Sequence, residues 1–158
     1  MKKVLKYALL VIVVGLVVCQ FIGPDKTNPA IEEGADLLSV ENVPANVVDI
    51  LKTSCYDCHS NETVWPWYTS IAPLSWGIIN HVNDGREELN FSTWKSYKEG
   101  KKLHKLEECI EMVAKGYMPI EGYVKMHDGA ELTDEEKVAL KGWIKERLGD
   151  YVGEHHVD

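Results

Sequence analysis

Positive charge, phenylalanine and paired cysteines are all scarce in this chain of 158 residues. Lysine and arginine total 17 against 25 aspartates and glutamates, a formal charge of −8. That balance argues against a nucleic-acid partner, because phosphate binding draws its affinity from a Lys/Arg surface that releases counterions. It is compatible with a basic patch on a protein partner. The four cysteines, at 19, 55, 58 and 109, do not form the even framework of a disulfide-stapled domain, and only Cys55 and Cys58 make a unit. There is no internal repeat or low-complexity tract, and no stretch argues convincingly for a strand. Two Phe stand beside five Trp and seven Tyr, an aromatic set suited to the pocket of a large apolar cofactor. A domain of roughly a hundred residues buries a modest share of its surface, so such a cofactor would add to its stability.

Charge is also missing from Tyr7 to Ile22, a run preceded by Lys2, Lys3 and Lys6. This is a basic segment followed by an apolar one. Taken as a single helix, the 19 residues from Val4 to Ile22 reach about 28 Å, close to the ~30 Å hydrocarbon core of a bilayer. The expectation is an uncleaved, single-pass anchor in the cytoplasmic membrane over residues 1–23. The rest of the chain is then expected on the periplasmic, extracytoplasmic side. Cleavage and lipid attachment at Cys19 fit less well: small residues are missing near Gly23, and Val18 precedes the cysteine. Cys19 reads more simply as a small apolar residue of the helix.

Residues 24–43, with Pro24, Pro29 and an acidic, weakly periodic stretch, read as a linker. The folded domain is expected over 44–150 and a flexible tail over 151–158. The fold class is all-α. A first helix starts near Asn46 and runs into Cys55, with Val47, Val48, Ile50 and Leu51 as its apolar residues. After the aromatic loop Trp65-Pro66-Trp67-Tyr68, a second runs from Pro73 to Gly85 through Trp76, Ile79 and Val82. A third carries Leu103, Leu106, Ile110 and Val113 and stops at Gly116. The last begins at the capping-box pattern Thr133-Asp134-Glu135-Glu136 and runs through Leu140, Trp143, Ile144 and Leu148 to Gly149.

Cys55-Tyr56-Asp57-Cys58-His59 carries the chemistry. Two thiols three residues apart match the two vinyl groups on one edge of a haem, and the adjoining imidazole then reaches the iron. Composition alone would produce this pattern about 0.004 times in the chain. A redox dithiol expects a βαβ setting, and a zinc site expects two further closely spaced ligands; neither pattern is present. One covalent haem c is expected, with Cys55 and Cys58 as thioethers and His59 as the proximal ligand. Met118, followed by Pro119 between the third and last helices, is the leading candidate for the other axial position.

These features together resemble the carboxy-terminal half of small single-haem cytochromes c. More narrowly, the chain resembles the bacterial haem-binding-domain family. The shared pattern is Cys55 to Ser60, Trp65 to Tyr68, Gly85-Arg86 with Leu89-Asn90-Phe91-Ser92-Thr93-Trp94, and Met118-Pro119, within about Pro44 to Leu148. The resemblance implies covalent haem in a cytochrome c-like helical domain and leaves the redox partner unspecified.

His81 and His127 compete with Met118 as distal ligands, although a lone histidine on a helix is more often hydrogen-bonded scaffold. Arg86, Trp65, Trp67 and Trp94 are candidates for haem-pocket or propionate contacts, and each fits plain packing equally well. Cys109 reads as a buried hydrophobe, and Glu107, Glu108 and Glu111 as the wet face of the third helix. A saturated iron makes an electron carrier rather than an enzyme. An iron left open would make a peroxidase or small-ligand sensor instead.

Overall fold

The computed structural model describes the backbone of residues 1–155 and the side chains of residues 1–149. Its described residues form helices and turns without strands: α1 Lys2–Cys19, α2 Leu37–Val40, α3 Ala45–Ser54, α4 Tyr56–His59, α5 Leu74–Glu88, α6 Glu99–Ala114, α7 Glu121–Val124 and α8 Asp134–His155. Two 3₁₀ segments, Trp67–Ser70 and Phe91–Ser96, flank α5. The all-α expectation holds. Of the tail expected over 151–158, the first five residues belong to the helix α8, and 156–158 lie outside the described residues.

The core forms where α8 packs on α3 and α6. Val47, Ile50 and Leu51 of α3 meet Leu106 of α6 and Leu140, Trp143 and Ile144 of α8, all buried. Their steps of three and four residues put them on one face of each helix, which is why these segments fold as amphipathic helices. The cap predicted at Thr133 forms as a reciprocal pair. Thr133 N–H donates to Glu136 Oε2 at 2.8 Å, and Glu136 N–H donates to Thr133 Oγ1 at 3.2 Å. At the end of α6, Gly116 takes φ +71, the left-handed geometry that glycine adopts at little cost. Tyr117 and Met118 N–H then both turn back to Met112 O, at 2.9 and 3.3 Å.

The linker expected over 24–43 is corrected in its second half. Leu37 is 0% exposed, α2 packs on the Phe91–Ser96 segment, and Lys95 N–H donates to Ala35 O at 2.9 Å. Glu41 accepts from Trp94 Nε1 and from Arg147 Nε, both at 2.8 Å. An acidic stretch with weak periodicity hides this role, because a single turn of helix contributes only one fully buried side chain.

The membrane anchor is also overturned: among the described residues, no helix is long and apolar enough to cross a membrane. Helix α1 has 18 residues, including Lys2, Lys3 and Lys6. Its charge-free part, Tyr7 to Cys19, covers 13 residues, about 20 Å at 1.5 Å per residue against a core of ~30 Å. The residues expected to complete the span are tied to the folded domain instead. Gln20 donates to Ala72 O at 2.9 Å and accepts from Ala72 N–H at 3.1 Å, while Trp76 Nε1 donates to Ile22 O at 2.8 Å. The placement of the domain outside the cytoplasmic membrane rested on that anchor and falls with it.

Helices α4 and α5 approach so closely that a Cβ on Gly85 would lie 2.7 Å from the backbone oxygen of Cys58. Gly85→Ala is therefore expected to lower stability by about 1–3 kcal/mol, the usual cost of forcing a well-packed contact apart. Thr133→Ala, which removes only a cap, should cost about 1 kcal/mol. Urea unfolding midpoints of the two variants measure both, and a Gly85→Ala protein as stable as the parent would contradict the close approach.

Candidate haem site

The chain breaks from α3 into α4 at Cys55, whose φ of −128 and ψ of −41 lie outside the helical well. One short turn then presents Cys58 and His59, with His59 N–H donating to Cys55 O at 3.0 Å. The imidazole points back toward α5. Its Nδ1 lies 2.9 Å from Gly85 O and 3.0 Å from Leu89 O. A carbonyl oxygen only accepts, so Nδ1 carries the proton and Nε2 keeps its lone pair. Burial holds the His59 pKa below its ordinary value, against the two carbonyl contacts, which favour the charged form. The ring is thus oriented through its Nδ1–H, the arrangement characteristic of metal-binding histidines.

Two adjoining cavities, of about 250 and 240 Å³, meet at this ring. Ser54, Cys55, His59, Glu88 and Met118 line both. The first also takes in Cys58, His81, Asp84, Gly85, Pro119, Ile120 and Tyr123. The second is walled mainly by apolar side chains, among them Leu37, Leu51, Phe91, Leu106, Leu140 and Trp143. A flat apolar ring system with polar ends fits this donor set. Two thiols, an imidazole and a thioether sulfur line the same space, with a broad apolar wall beside them.

The two residues inside the motif serve as bolts. Tyr56 turns inward, donating to Asp36 Oδ1 at 2.8 Å and stacking on Phe91 with ring centroids 5.1 Å apart. Asp57 turns outward, accepting from Val64 N–H at 2.9 Å and from Tyr123 OH at 2.8 Å. The segment after the motif is braced from the far side of α5. Arg86 Nε donates to Ser60 O at 2.8 Å, and its Nη2 reaches Thr63 Oγ1 and Asn28 Oδ1, each at 2.7 Å. Asn61 N–H donates to Ser92 Oγ at 3.0 Å, and Asn90 Nδ2 donates to Asn61 Oδ1 at 2.9 Å.

The structure brings Cys55, Cys58, His59, Met118 and His81 to the cavities and places the other candidates elsewhere. Both nitrogens of His127 are engaged: Nδ1 with Tyr123 O at 2.9 Å and Nε2 with Tyr68 OH at 3.0 Å. Trp94 is 0% exposed and Trp67 is 75% exposed. Trp65 packs with Arg86 6.0 Å from its ring, its Nε1 buried without a partner. None of Trp65, Trp67, Arg86 and Trp94 lines either cavity. Cys109 and Glu108, assigned from the sequence to packing and to a wet face, both reach the second cavity, as does Lys105. The Gly85 and Leu89 carbonyls and Tyr123 escaped the sequence reading, since backbone oxygens leave no residue signature and Tyr123 belongs to a single helical turn.

Burial, with Cys109 and Cys58 as neighbours, pushes the Cys55 thiol up to about 12. Burial and Asp57 push Cys58 up to about 11, against the opposing charge of Arg86. Redox dithiols work through a lowered thiol pKa, so this pair is poorly set for disulfide exchange. Zinc fares no better: among the described residues no group of three or more His, Cys, Asp or Glu side chains is placed to hold a metal ion.

No curated protein and no solved structure matches the chain. A family model described as "Haem-binding domain" matches residues 14–146. That range takes in the cysteine pair, His59, the bracing segment around Arg86 and Asn90, and Met118. The chain therefore belongs to the haem-binding domain family and is a haem-binding protein.

Proposed function

We propose that this chain holds one haem covalently, through thioethers from Cys55 and Cys58, and serves in single-electron transfer with His59 and Met118 as axial ligands. The observation that carries this reading is the His59 imidazole, with Nδ1–H committed to two backbone carbonyls at 2.9 and 3.0 Å beside both cysteines. Each thiol would add across a vinyl group: sulfur forms one C–S bond, the thiol proton goes to the other vinyl carbon, and no net oxidation occurs. A bound haem supplies a one-electron couple at its iron. The protein's part is to hold the imidazole neutral and oriented, to supply a soft sulfur from the Met118 loop, and to wall the ring with apolar side chains. Methionine sulfur favours the reduced state relative to a second imidazole and so raises the potential. With His59 and Met118 both held to a bound haem, substrates would be kept from the iron, which suits a carrier better than an enzyme. A charge of −8 suits a redox partner with a basic docking patch and disfavours nucleic acid.

His81 is the competing distal ligand, because it lines the same cavity as Met118. Two experiments separate the possibilities. Protein matured with a haem-ligation system is expected to keep one haem per chain through denaturing electrophoresis. The Cys55→Ser, Cys58→Ser double variant should keep none, and loss of haem from the parent protein on denaturation would defeat covalent attachment. Met118→Ala should retain covalent haem, show a lowered midpoint potential and bind carbon monoxide in the reduced state, whereas His81→Ala should do neither of the last two. Carbon monoxide binding by reduced His81→Ala and not by Met118→Ala moves the ligand to His81.

A further inference from the structure

The backbone around Met118 is anchored at two ends. On the α6 side, Tyr117 and Met118 N–H are held by Met112 O. On the other side the chain enters α7, where Tyr123 OH lies 2.8 Å from Asp57 Oδ2 and 3.1 Å from Thr53 O. Asp57 sits between the two motif cysteines, so this contact joins the loop that carries Met118 directly to the turn that carries Cys58 and His59. The Tyr123 ring is held in its own right: it stacks on His127 with centroids 3.8 Å apart and planes 21° apart. His127 in turn is fixed by Tyr68 OH at 3.0 Å. Tyr123 also lines the cavity shared by Cys58, His59 and Met118.

We infer that Tyr123 is a positioning residue for the Met118 sulfur, clamping the distal loop to the haem-attachment turn through Asp57 and so setting how often the iron is open to external ligands. The inference rests on Met118 as distal ligand. An internal clamp of this kind resists lengthening of the distance between the two axial residues, because the tyrosine spans the two backbone segments that bear them. Thr53 O and the two Asp57 oxygens divide the work. Asp57 Oδ1 fixes the motif to Val64 N–H, leaving Oδ2 for Tyr123. An asparagine at 57 keeps one acceptor oxygen for Val64 N–H and meets Tyr123 OH only through its neutral amide, so the charge-assisted bond from Tyr123 to the carboxylate is lost.

The test uses the full chain with haem attached and reads the rate of cyanide binding to the ferric protein, together with the sulfur-to-iron charge-transfer band. Tyr123→Phe should keep covalent haem at the parent level, weaken that band and speed cyanide binding roughly tenfold or more, as expected on losing a hydrogen bond to a charged acceptor. Asp57→Asn should act in the same direction, and the two changes together should add little to either alone. Tyr68→Phe, which disturbs the same aromatic cluster without touching Asp57, should stay near the parent rate. An equal gain in Tyr68→Phe would show general loosening and overturn the clamp. So would an unchanged rate in Tyr123→Phe while Met118→Ala binds cyanide fast, and in that case the ligand reading survives. If Met118→Ala is itself unchanged, the ligand reading fails and the clamp with it.

Discussion

The contact on which the site depends is the pair of backbone carbonyls that receive the His59 Nδ1 proton. Those oxygens belong to Gly85 in the last turn of α5 and to Leu89, the residue that follows the helix. Gly85 O also accepts from Leu89 N–H at 2.9 Å, so the imidazole joins a bond that already closes the helix. The approach needs α5 to lie almost against Cys58, and only a residue without Cβ allows it. A side chain, a helix end and a glycine are thus one device. Its product is an imidazole held in one direction, with Nδ1–H committed to the two carbonyls.

The stretch from Arg86 to Trp94 gains a physical meaning from the same geometry. A four-residue helix such as α4 has too few internal bonds to hold its own orientation. Arg86 captures Ser60 O and Thr63, and Ser92 and Asn90 capture Asn61. Phe91 stacks on Tyr56 and lines the apolar cavity. The turn bearing Cys58 and His59 is therefore splinted by a segment that follows much later in the chain. Arg86 and Trp94, considered as contacts to a cofactor, make bonds within the protein in the described structure: Arg86 Nε and Nη2 reach Ser60 O, Thr63 Oγ1 and Asn28 Oδ1, and Trp94 gives its indole N–H to Glu41.

Much of the fold was legible because periodicity reports burial. Val47, Ile50 and Leu51 mark α3, Leu106 marks α6, and Leu140 with Trp143 and Ile144 marks α8, each set on a single helical face. Punctuation was equally readable, since Gly116 and Thr133 stop and start helices by local bonds of their own. What failed was inference from hydropathy at the amino terminus. An apolar run says nothing of where its helix ends, and Gln20, the one strongly polar residue in it, bonds to Ala72 in the domain. At the site, Cys55, Cys58 and His59 were legible because their spacing is itself the chemistry. Tyr123 and Lys105 were not, because they come from α7 and α6 and meet the motif only in three dimensions.

Charge around the cavities completes the electrostatics of the site. Asp84, Glu88 and Glu108 line them, with Lys105 the cation among the lining residues. Its ammonium lies 2.7 Å from Glu108 and 3.6 Å from Glu88. The Glu108 bond, with both carboxylates nearby, raises the Lys105 pKa and keeps it charged. For a haem iron held here with Met118 as ligand, carboxylates would stabilise the oxidised state and the methionine the reduced one. The two influences oppose each other. By pairing with Glu88 and Glu108, Lys105 mutes the acidic contribution at the apolar cavity, where low dielectric would make it strongest. Asp84 lines only the other cavity, with His81. The lining carboxylates thus divide: Glu88 and Glu108 lie against Lys105, and Asp84 lies in the cavity that holds His81.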